Sequence, residues 1–277
     1  MFQPFVKMHG AGNDFVVIDN RNGGMPALDW KKLADRQFGI GCDQVVLLDA
    51  SNKADVQMRI INADGSEVGS CGNASRCAAW LLYTEREDTS NNEVTIETLD
   101  GIITAHVENE NRITVDMGAP NLEWESIPLA KKMDTLHLDL TQGELRDGVA
   151  VSMGNPHAVF FVKEPYQINL GVLGPSLEKN ALFPKRANIS VARIESSSHI
   201  TLRVWERGAG LTLACGTAAC ATLVAAHRRG LTGRNALVDL PGGTLLIEWR
   251  ESDNHVWMTG PVATSFVGTF ESGTFCL

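Results

Sequence analysis

The chain has 277 residues and a formal net charge of −9, so it carries an acidic excess where a nucleic-acid surface would need clustered Lys and Arg. Apolar residues make up 44%, enough for one large core or two ordinary ones, yet no apolar run reaches the roughly 18 residues of a membrane span. The opening eight residues lack the apolar stretch of a secretory signal, which predicts a cytoplasmic protein with reduced thiols, and its six cysteines read as thiols rather than as a disulfide framework.

In chain order, residues 15–18 alternate as a strand, and residues 28–38 have helical spacing with Gly39 to stop them. Residues 45–48 and 56–61 read as strands. A helix follows Cys71, with Cys77, Trp80 and Leu81 for its apolar stripe, and the polar residues 84–93 form a loop. Residues 94–98, 103–107 and 112–117 are strands, with Asp100-Gly101 as a hairpin turn. In the second half, residues 158–162 and 200–205 are strand-like, and a helix follows Cys215 and ends near Gly230. Residues 237–240, 245–249 and 256–258 are strands, with Gly242-Gly243 as the matching turn, and the tail after Val262 packs back onto the first half.

The halves repeat each other. Ser70-Cys71-Gly72-Asn73-Ala74-Ser75-Arg76-Cys77 matches Ala214-Cys215-Gly216-Thr217-Ala218-Ala219-Cys220. Arg59 and Arg203 each lie twelve residues before their cysteine, Asn62 and Glu206 each lie nine before it, and Asn13 and Asn155 precede it by 58 and 60. The expected object is two α/β units related by approximate twofold symmetry, residues 1–118 with 263–277 and residues 119–262. Two thiols at equivalent points would then face one another across a cleft, a usual place for a small-molecule site.

A cysteine at the mouth of a helix sits beside backbone N–H groups that have no partner within the helix. Those groups and the helix dipole favour a thiolate, by enough to lower the thiol pKa by about one unit. Two such thiols titrate as a pair, and one thiolate with one thiol is the state that removes a proton and returns another. The same N–H groups, left accessible at Gly72-Asn73 and Gly216-Thr217, suit a ligand carboxylate and the charge that develops beside it. An α-amino acid meets both demands. Cys42, Cys77 and Cys220 read as core residues or as supports behind the site, and Cys276 as incidental. The wide gaps within each cysteine pair fit no zinc motif, and no phosphate loop is present. His157, in Met153-Gly154-Asn155-Pro156-His157, and the pair Glu206-Arg207 read either as structural groups or as parts of the site.

These residues resemble the diaminopimelate epimerase family. The similarity runs through Lys7-Met8-His9-Gly10-Ala11-Gly12-Asn13-Asp14-Phe15, Asp43-Gln44, Asn62-Ala63-Asp64-Gly65-Ser66-Glu67, both cysteine motifs, Gly154-Asn155-Pro156-His157, Arg186-Ala187-Asn188, Glu206-Arg207-Gly208-Ala209-Gly210 and Leu240-Pro241-Gly242-Gly243. The resemblance implies an α+β fold of two similar domains, each a mainly antiparallel barrel-like sheet around a central helix. It implies cofactor-independent, metal-free interconversion of LL- and meso-2,6-diaminopimelate in lysine and peptidoglycan precursor synthesis, by a protein that acts as a homodimer. Cys215 would take the α-proton of the LL substrate and Cys71 would supply one to the opposite face, with roles exchanged in reverse. Backbone N–H groups of Gly72, Asn73, Gly216 and Thr217 would hold the reacting carboxylate, and Asn13 and Gln44 the reacting amino end. Asn62, Asn155, Asn188, Glu206 and Arg207 would read the distal end, and His157 and Glu206 would tune the thiols. The chain departs from the family pattern at Ala74-Ser75 and Thr217-Ala218, which stay small, and in carrying Phe266 where a C-terminal tyrosine often supports dimers.

Three other readings have their own discriminators. A two-cysteine racemase of another amino acid would not need the asparagine set or Arg207. A dithiol redox protein would show a C-x-x-C motif, which is absent. A noncatalytic amino-acid-binding protein would exchange no α-proton.

Overall fold

The computed structural model describes residues 2–276. The chain divides into two compact units, Met1–Val115 with Gly260–Leu277, and Asp116–Thr259. In chain order the elements are β1 (Phe2–Gly10), β2 (Asn13–Asp19), α1 (Trp30–Ala34), β3 (Gln44–Asp49), β4 (Val56–Asn62), β5 (Glu67–Val68), α2 (Gly72–Thr84), β6 (Glu93–Thr98), β7 (Gly101–Asn109) and β8 (Arg112–Asp116). There follow β9 (Leu138–Gln142), β10 (Leu145–Ser152), β11 (Pro156–Phe161), α3 (Leu170–Glu178), β12 (Asn188–Ser196), β13 (His199–Glu206) and β14 (Gly210–Leu211). The last are α4 (Gly216–Arg228), β15 (Asn235–Leu240), β16 (Gly243–Trp249), β17 (Val256–Gly260) and β18 (Ala263–Glu271). No helix among the described residues is long and apolar enough to cross a membrane.

The first unit pairs its strands in the order β18-β1-β2-β3-β4-β6-β7-β8, with β5 laid on β4. The second pairs β9-β10-β11-β12-β13-β15-β16-β17, with β14 on β13. The two orders are the same. So are the directions: antiparallel throughout, except for one parallel pair between the third and fourth strands of the order (β2–β3, β11–β12) and one between the fifth and sixth (β4–β6, β13–β15). Mainly antiparallel sheets with few helices make this an α+β fold, and the α/β units expected from the strand and helix order alone give way to it. β18 lies against β1 as β9 lies against β10, so the C-terminal strand supplies the first unit with an edge that the second builds from its own hairpin.

Each sheet wraps one helix. α2 packs on β1, β2, β6 and β7, and α4 on β10, β11, β12, β13, β15 and β16. A helix enclosed in this way is buried all round rather than along one stripe. In α2 every residue from Gly72 to Ala79 is buried, whereas the expected stripe residues Trp80 and Leu81 are only half-buried. Small side chains allow this: Ala74, Ala78 and Ala79 in α2, and Ala218, Ala219, Ala221, Ala225 and Ala226 in α4, bring strand backbones close while keeping high helix propensity. α4 stops at Gly230, whose φ of +67° suits glycine. There the N–H of Gly230 donates to His227 O (2.8 Å) and that of Leu231 to Ala226 O (2.9 Å), which closes the helix with a left-handed turn.

The helix expected over residues 28–38 is one short turn. Asp29 caps α1 by accepting the Lys32 N–H (3.1 Å), but Asp35 ends it, because its Oδ1 accepts the N–H groups of Gln37 (2.8 Å) and Phe38 (2.7 Å). A side chain that satisfies the backbone locally competes with helix continuation.

Candidate active site

The repeated cysteines are helix N-caps. Cys71 (φ −151°, ψ 111°) precedes α2 and Cys215 (φ −136°, ψ 111°) precedes α4, each in extended backbone. Each carbonyl accepts the first helical N–H: Ser75 N to Cys71 O at 2.9 Å, Ala219 N to Cys215 O at 3.1 Å. The N–H groups of Gly72, Asn73, Gly216 and Thr217 thus lie in first helical turns, where no intrahelical acceptor exists.

Strand register brings the remaining predicted residues to equivalent places in each unit. Phe15 pairs Gln44 and Gln44 pairs Asn62 in the first. His157 pairs Asn188 in the second, and Glu206 stands one step beyond the Ile189–Trp205 pair, opposite Asn188. Hence Gln44 and Asn188 correspond, as do Asn62 and Glu206, Asn13 and Asn155, and Phe15 and His157.

In the first unit Gln44 Nε2 donates to Asn62 Oδ1 (2.9 Å), and Asn62 Nδ2 donates to Ser66 Oγ (3.0 Å). The Cys71 thiol, half-buried, donates to Asn13 Oδ1 at 3.8 Å. Asn13 Nδ2 donates to Asp43 Oδ2 (2.9 Å). Behind it, Arg36 bridges Asp14 and Asp43, and the buried Lys7 ammonium donates to Asp14 and to Gly41 O. Burial alone would raise the Asp14 carboxyl, but hydrogen bonds from Arg36 and Lys7 outweigh it and hold it well below the usual carboxylate range.

In the second unit Asn155 Nδ2 donates to Thr217 Oγ1 (3.3 Å), and Thr217 Oγ1 lies 3.5 Å from Cys215 Sγ. His157 Nε2 meets Asn155 Oδ1 at 2.8 Å. Burial, with help from the Arg207 charge, pushes the His157 imidazole down to about 3, so it is neutral and is linked to Cys215 through Asn155 and Thr217. Asn188 donates to Pro156 O (3.1 Å) and accepts the Arg207 N–H (2.9 Å), while the exposed Arg207 guanidinium donates to Lys185 O (3.1 Å). Thr212 donates its hydroxyl to Glu206.

The thiolate expected from the helix dipole is not what surrounds Cys215. Burial first, and the Glu206 carboxylate second, push this thiol well above its ordinary range, while the Thr217 hydroxyl and the Ala218 N–H pull the other way and lose. A dipole contribution of about 0.3–2 kcal/mol is smaller than the cost of placing a second negative charge beside a carboxylate in a buried site. Burial likewise pushes Cys77 up to about 12 and Cys42 up to about 11, as suits inert core thiols.

Two supports escape sequence reasoning. Buried Glu178, at the end of α3, accepts Trp205 Nε1 (2.7 Å) and the Gly208 N–H (3.2 Å), and so holds the turn that carries Glu206 and Arg207. Buried Arg76 donates to Asn73 Oδ1 (3.0 Å). A charged residue in the middle of an otherwise small and apolar helix was the available signal for Arg76; for Glu178 there was none. Among the described residues no group of three or more His, Cys, Asp or Glu is arranged to hold a metal ion.

The sequence profile of the diaminopimelate epimerase family matches residues 5–123 and 149–265. The chain belongs to the diaminopimelate epimerase family. It is 52% identical to the diaminopimelate epimerase of Rhodospirillum centenum, over 97% of this chain and 92% of that one, and 52% identical to that of Acidiphilium cryptum, over 98% and 97%. Among solved structures it is similar to a hydroxyproline epimerase from Agrobacterium vitis (TM-score 0.69, 15% identity, 97% of this chain and 92% of that one). A probable proline racemase from Agrobacterium radiobacter is similar too (TM-score 0.70, 15% identity, 97% and 93%). At that identity the likeness to solved structures is one of fold.

Proposed function

We propose that the chain interconverts LL- and meso-2,6-diaminopimelate without a cofactor, with Cys71 and Cys215 as the two proton-transferring groups. In the LL-to-meso direction the Cys215 thiolate takes the α-proton, an S–H bond forming as the Cα–H bond breaks and its electron pair spreads onto the carboxylate, and the Cys71 S–H bond then breaks as its proton passes to the opposite face of the same carbon. The reverse reaction exchanges the roles. The observation that carries this is the repeated cysteine N-cap, set on matching strand register within a chain half-identical to named diaminopimelate epimerases.

The Cys215 thiol has a proton to lose before it can act as a base, and the Glu206 carboxylate beside it is the group to receive that proton. The N–H groups of Gly72, Asn73, Gly216 and Thr217 hold the reacting carboxylate and stabilise the carbanion charge that spreads onto it. Asn13 and Gln44 hold the reacting amino end, and Asn62, Asn155, Asn188, Glu206 and Arg207 read the distal amino-acid end. His157 acts through Asn155 rather than by charge. The division of labour follows residues 1–118 with 263–277 and residues 119–262 as the two catalytic domains. The setting is lysine and peptidoglycan precursor synthesis in the cytoplasm. A homodimer completes the proposal, with Phe266 and Val267, both exposed on β18, as its apolar contact.

Incubation of LL-diaminopimelate with the protein in D₂O, followed by proton NMR, tests the reaction. Deuterium at the inverted Cα with formation of the meso isomer is expected. Binding of substrate with no exchange at Cα would remove the proposal.

A further inference from the structure

We propose that Asp43 and Arg76 are positioning residues that jointly fix the Asn13 amide with its carbonyl oxygen toward Cys71, so that this sulfur is held as a proton donor. Three hydrogen bonds form a row. Arg76 Nη2 donates to Asn73 Oδ1 (3.0 Å), Asn73 Nδ2 to Asn13 Oδ1 (3.2 Å), and Asn13 Nδ2 to Asp43 Oδ2 (2.9 Å). An amide can turn over and exchange its donor for its acceptor, but a guanidinium carries only donors and a carboxylate only acceptors. With one at each end, both asparagines are forced to point the same way. Asp43 is itself pinned by Arg36 Nη2 (2.7 Å) and by the Asp14 N–H (3.1 Å).

Asn13 Oδ1 accepts from Asn73 with one lone pair and turns the other to Cys71 Sγ, 3.8 Å away. A carbonyl oxygen in that place accepts a hydrogen bond from the thiol and would face a thiolate with its negative end, which favours the protonated sulfur. The backbone leaves room for the row: a Cβ on Gly10 would stand 2.9 Å from Arg76 Nη2 and 3.4 Å from Asn73 Cβ. The second unit has none of these end groups. Ala187 stands at the place of Asp43 and Cys220 at that of Arg76, and Asn155 is turned the other way, its Nδ2 toward Thr217 at the helix start.

This rests on Cys71 as the proton-delivering sulfur of the proposed reaction, but its test uses no substrate, so failure here and failure of the activity are separate results. Cys71 alkylation by iodoacetamide is followed by mass spectrometry of its peptide across about pH 6 to 10, a range that spans ordinary thiol ionisation, with exposed Cys276 as reference. The charged groups around Cys71 are Arg76 on its own helix, Asp100 through Ser70 (3.0 Å), and Asp43, Arg36, Asp14 and Lys7 beyond Asn13; Cys77 also lies on α2. In Asp43→Asn the guanidinium of Arg36 takes the new side-chain oxygen and leaves an NH₂ facing Asn13, which opposes its present orientation. Alkylation of Cys71 at neutral pH is then expected to quicken about three- to tenfold, with its midpoint displaced to lower pH, as for loss of one hydrogen bond to the thiol. Asp43→Glu keeps a carboxylate and restores the original midpoint. In an Asn13→Ala background Asp43→Asn adds nothing, because it acts through Asn13. If Asp43→Asn does not fold by circular dichroism, Asp43→Ser is read in the same way, since a hydroxyl can also turn a hydrogen toward Asn13. An unchanged midpoint in the folded variant, equal shifts in the Asn and Glu variants, or an additive effect without Asn13 would each overturn the proposal.

Discussion

The helix starts at Cys71 and Cys215 share backbone conformation, helix length and strand register, yet their sulfurs meet different partners. Cys71 faces an amide carbonyl, fixed by a row that runs from Arg76 to Asp43. Cys215 is buried beside a carboxylate and a hydroxyl. Five exchanges between equivalent positions account for the contrast: Asp43 for Ala187, Asn62 for Glu206, Asn73 for Thr217, Arg76 for Cys220 and Phe15 for His157. Duplication supplies two matching platforms of backbone N–H groups, and point differences around them separate the two thiols chemically. The proposed reaction, which accepts a proton on one face of a carbon and delivers one to the other, has use for both properties.

The strongest test of that contrast is to remove one sulfur at a time. Cys71→Ala and Cys215→Ala are each expected to lower kcat for epimerisation about 10²–10⁴-fold, the usual worth of a positioned acid or base. They differ in what survives: Cys215→Ala keeps α-proton exchange only from the meso isomer and Cys71→Ala only from the LL isomer, as read by deuterium uptake. Exchange of both isomers by either variant would erase the assigned roles. A smaller effect is expected at Arg207, proposed to read the distal end, where the first unit has Ala63. Arg207→Ala should raise KM for diaminopimelate about 10- to 100-fold, the range for one charged hydrogen-bonding partner, with little change in kcat. Unchanged kinetics would release Arg207 from substrate recognition.

Why some of this was legible in the sequence follows from where the side chains point. The hairpins after each helix (β6–β7 and β15–β16) alternate apolar and polar residues, because one face of each strand is solvated, and they were found by period alone. β10 and β12 were not: residues 148–152 and 188–192 are buried on both faces, so no alternation marks them. α3 carries Gly171, Gly174 and Pro175, residues of low helix propensity, so its local sequence does not mark a helix. Gly174 is there because a Cβ would stand 2.5 Å from the Trp205 ring, a tertiary fact that no local pattern contains. At the site Asn188 entered through the family resemblance, whereas repetition revealed the cysteines, Asn13, Asn155, Asn62 and Glu206, since each has a counterpart at a matched offset. It hid Asp43 and Arg76, whose importance lies in having no counterpart.

His157 offers a measure of the same asymmetry through stability, because the first unit carries Phe15 in its place. Its folded pKa of about 3 lies below the ordinary histidine value near 6.5. As pH falls the unfolded chain takes the proton first, so this contribution is present in full above about pH 6.5 and is lost progressively toward about 3. Between about pH 6.5 and 4.5, above most carboxylate titrations, the loss amounts to about 2–3 kcal/mol for one proton. His157→Phe should flatten the dependence of unfolding free energy on pH in that window by this amount, whatever it does to stability at neutral pH. Denaturant melts at a series of pH values would show it, and an undiminished slope would mean that His157 is already protonated in the folded chain.

Thr217→Val should give the smallest effect and the finest resolution of the two helix starts. Valine keeps the branched shape but removes the hydroxyl that lies 3.5 Å from Cys215 Sγ and accepts from Asn155 at 3.3 Å. That hydroxyl is one of the groups pulling the Cys215 thiol down against burial and Glu206, so its loss pushes the thiol further up. One hydrogen bond of about 1 kcal/mol corresponds to a two- to tenfold fall in kcat for the LL-to-meso direction, where Cys215 is the proposed base. The N–H of residue 217 that is proposed to hold the substrate carboxylate belongs to the backbone and survives the change, so KM should move less than kcat. The alkylation midpoint of Cys215 should rise while that of Cys71 stays where it is, since the row that governs Cys71 lies wholly in its own unit. A shift of both midpoints would show the thiols to be tuned in common, and the contrast between the two helix starts would then be one of burial alone.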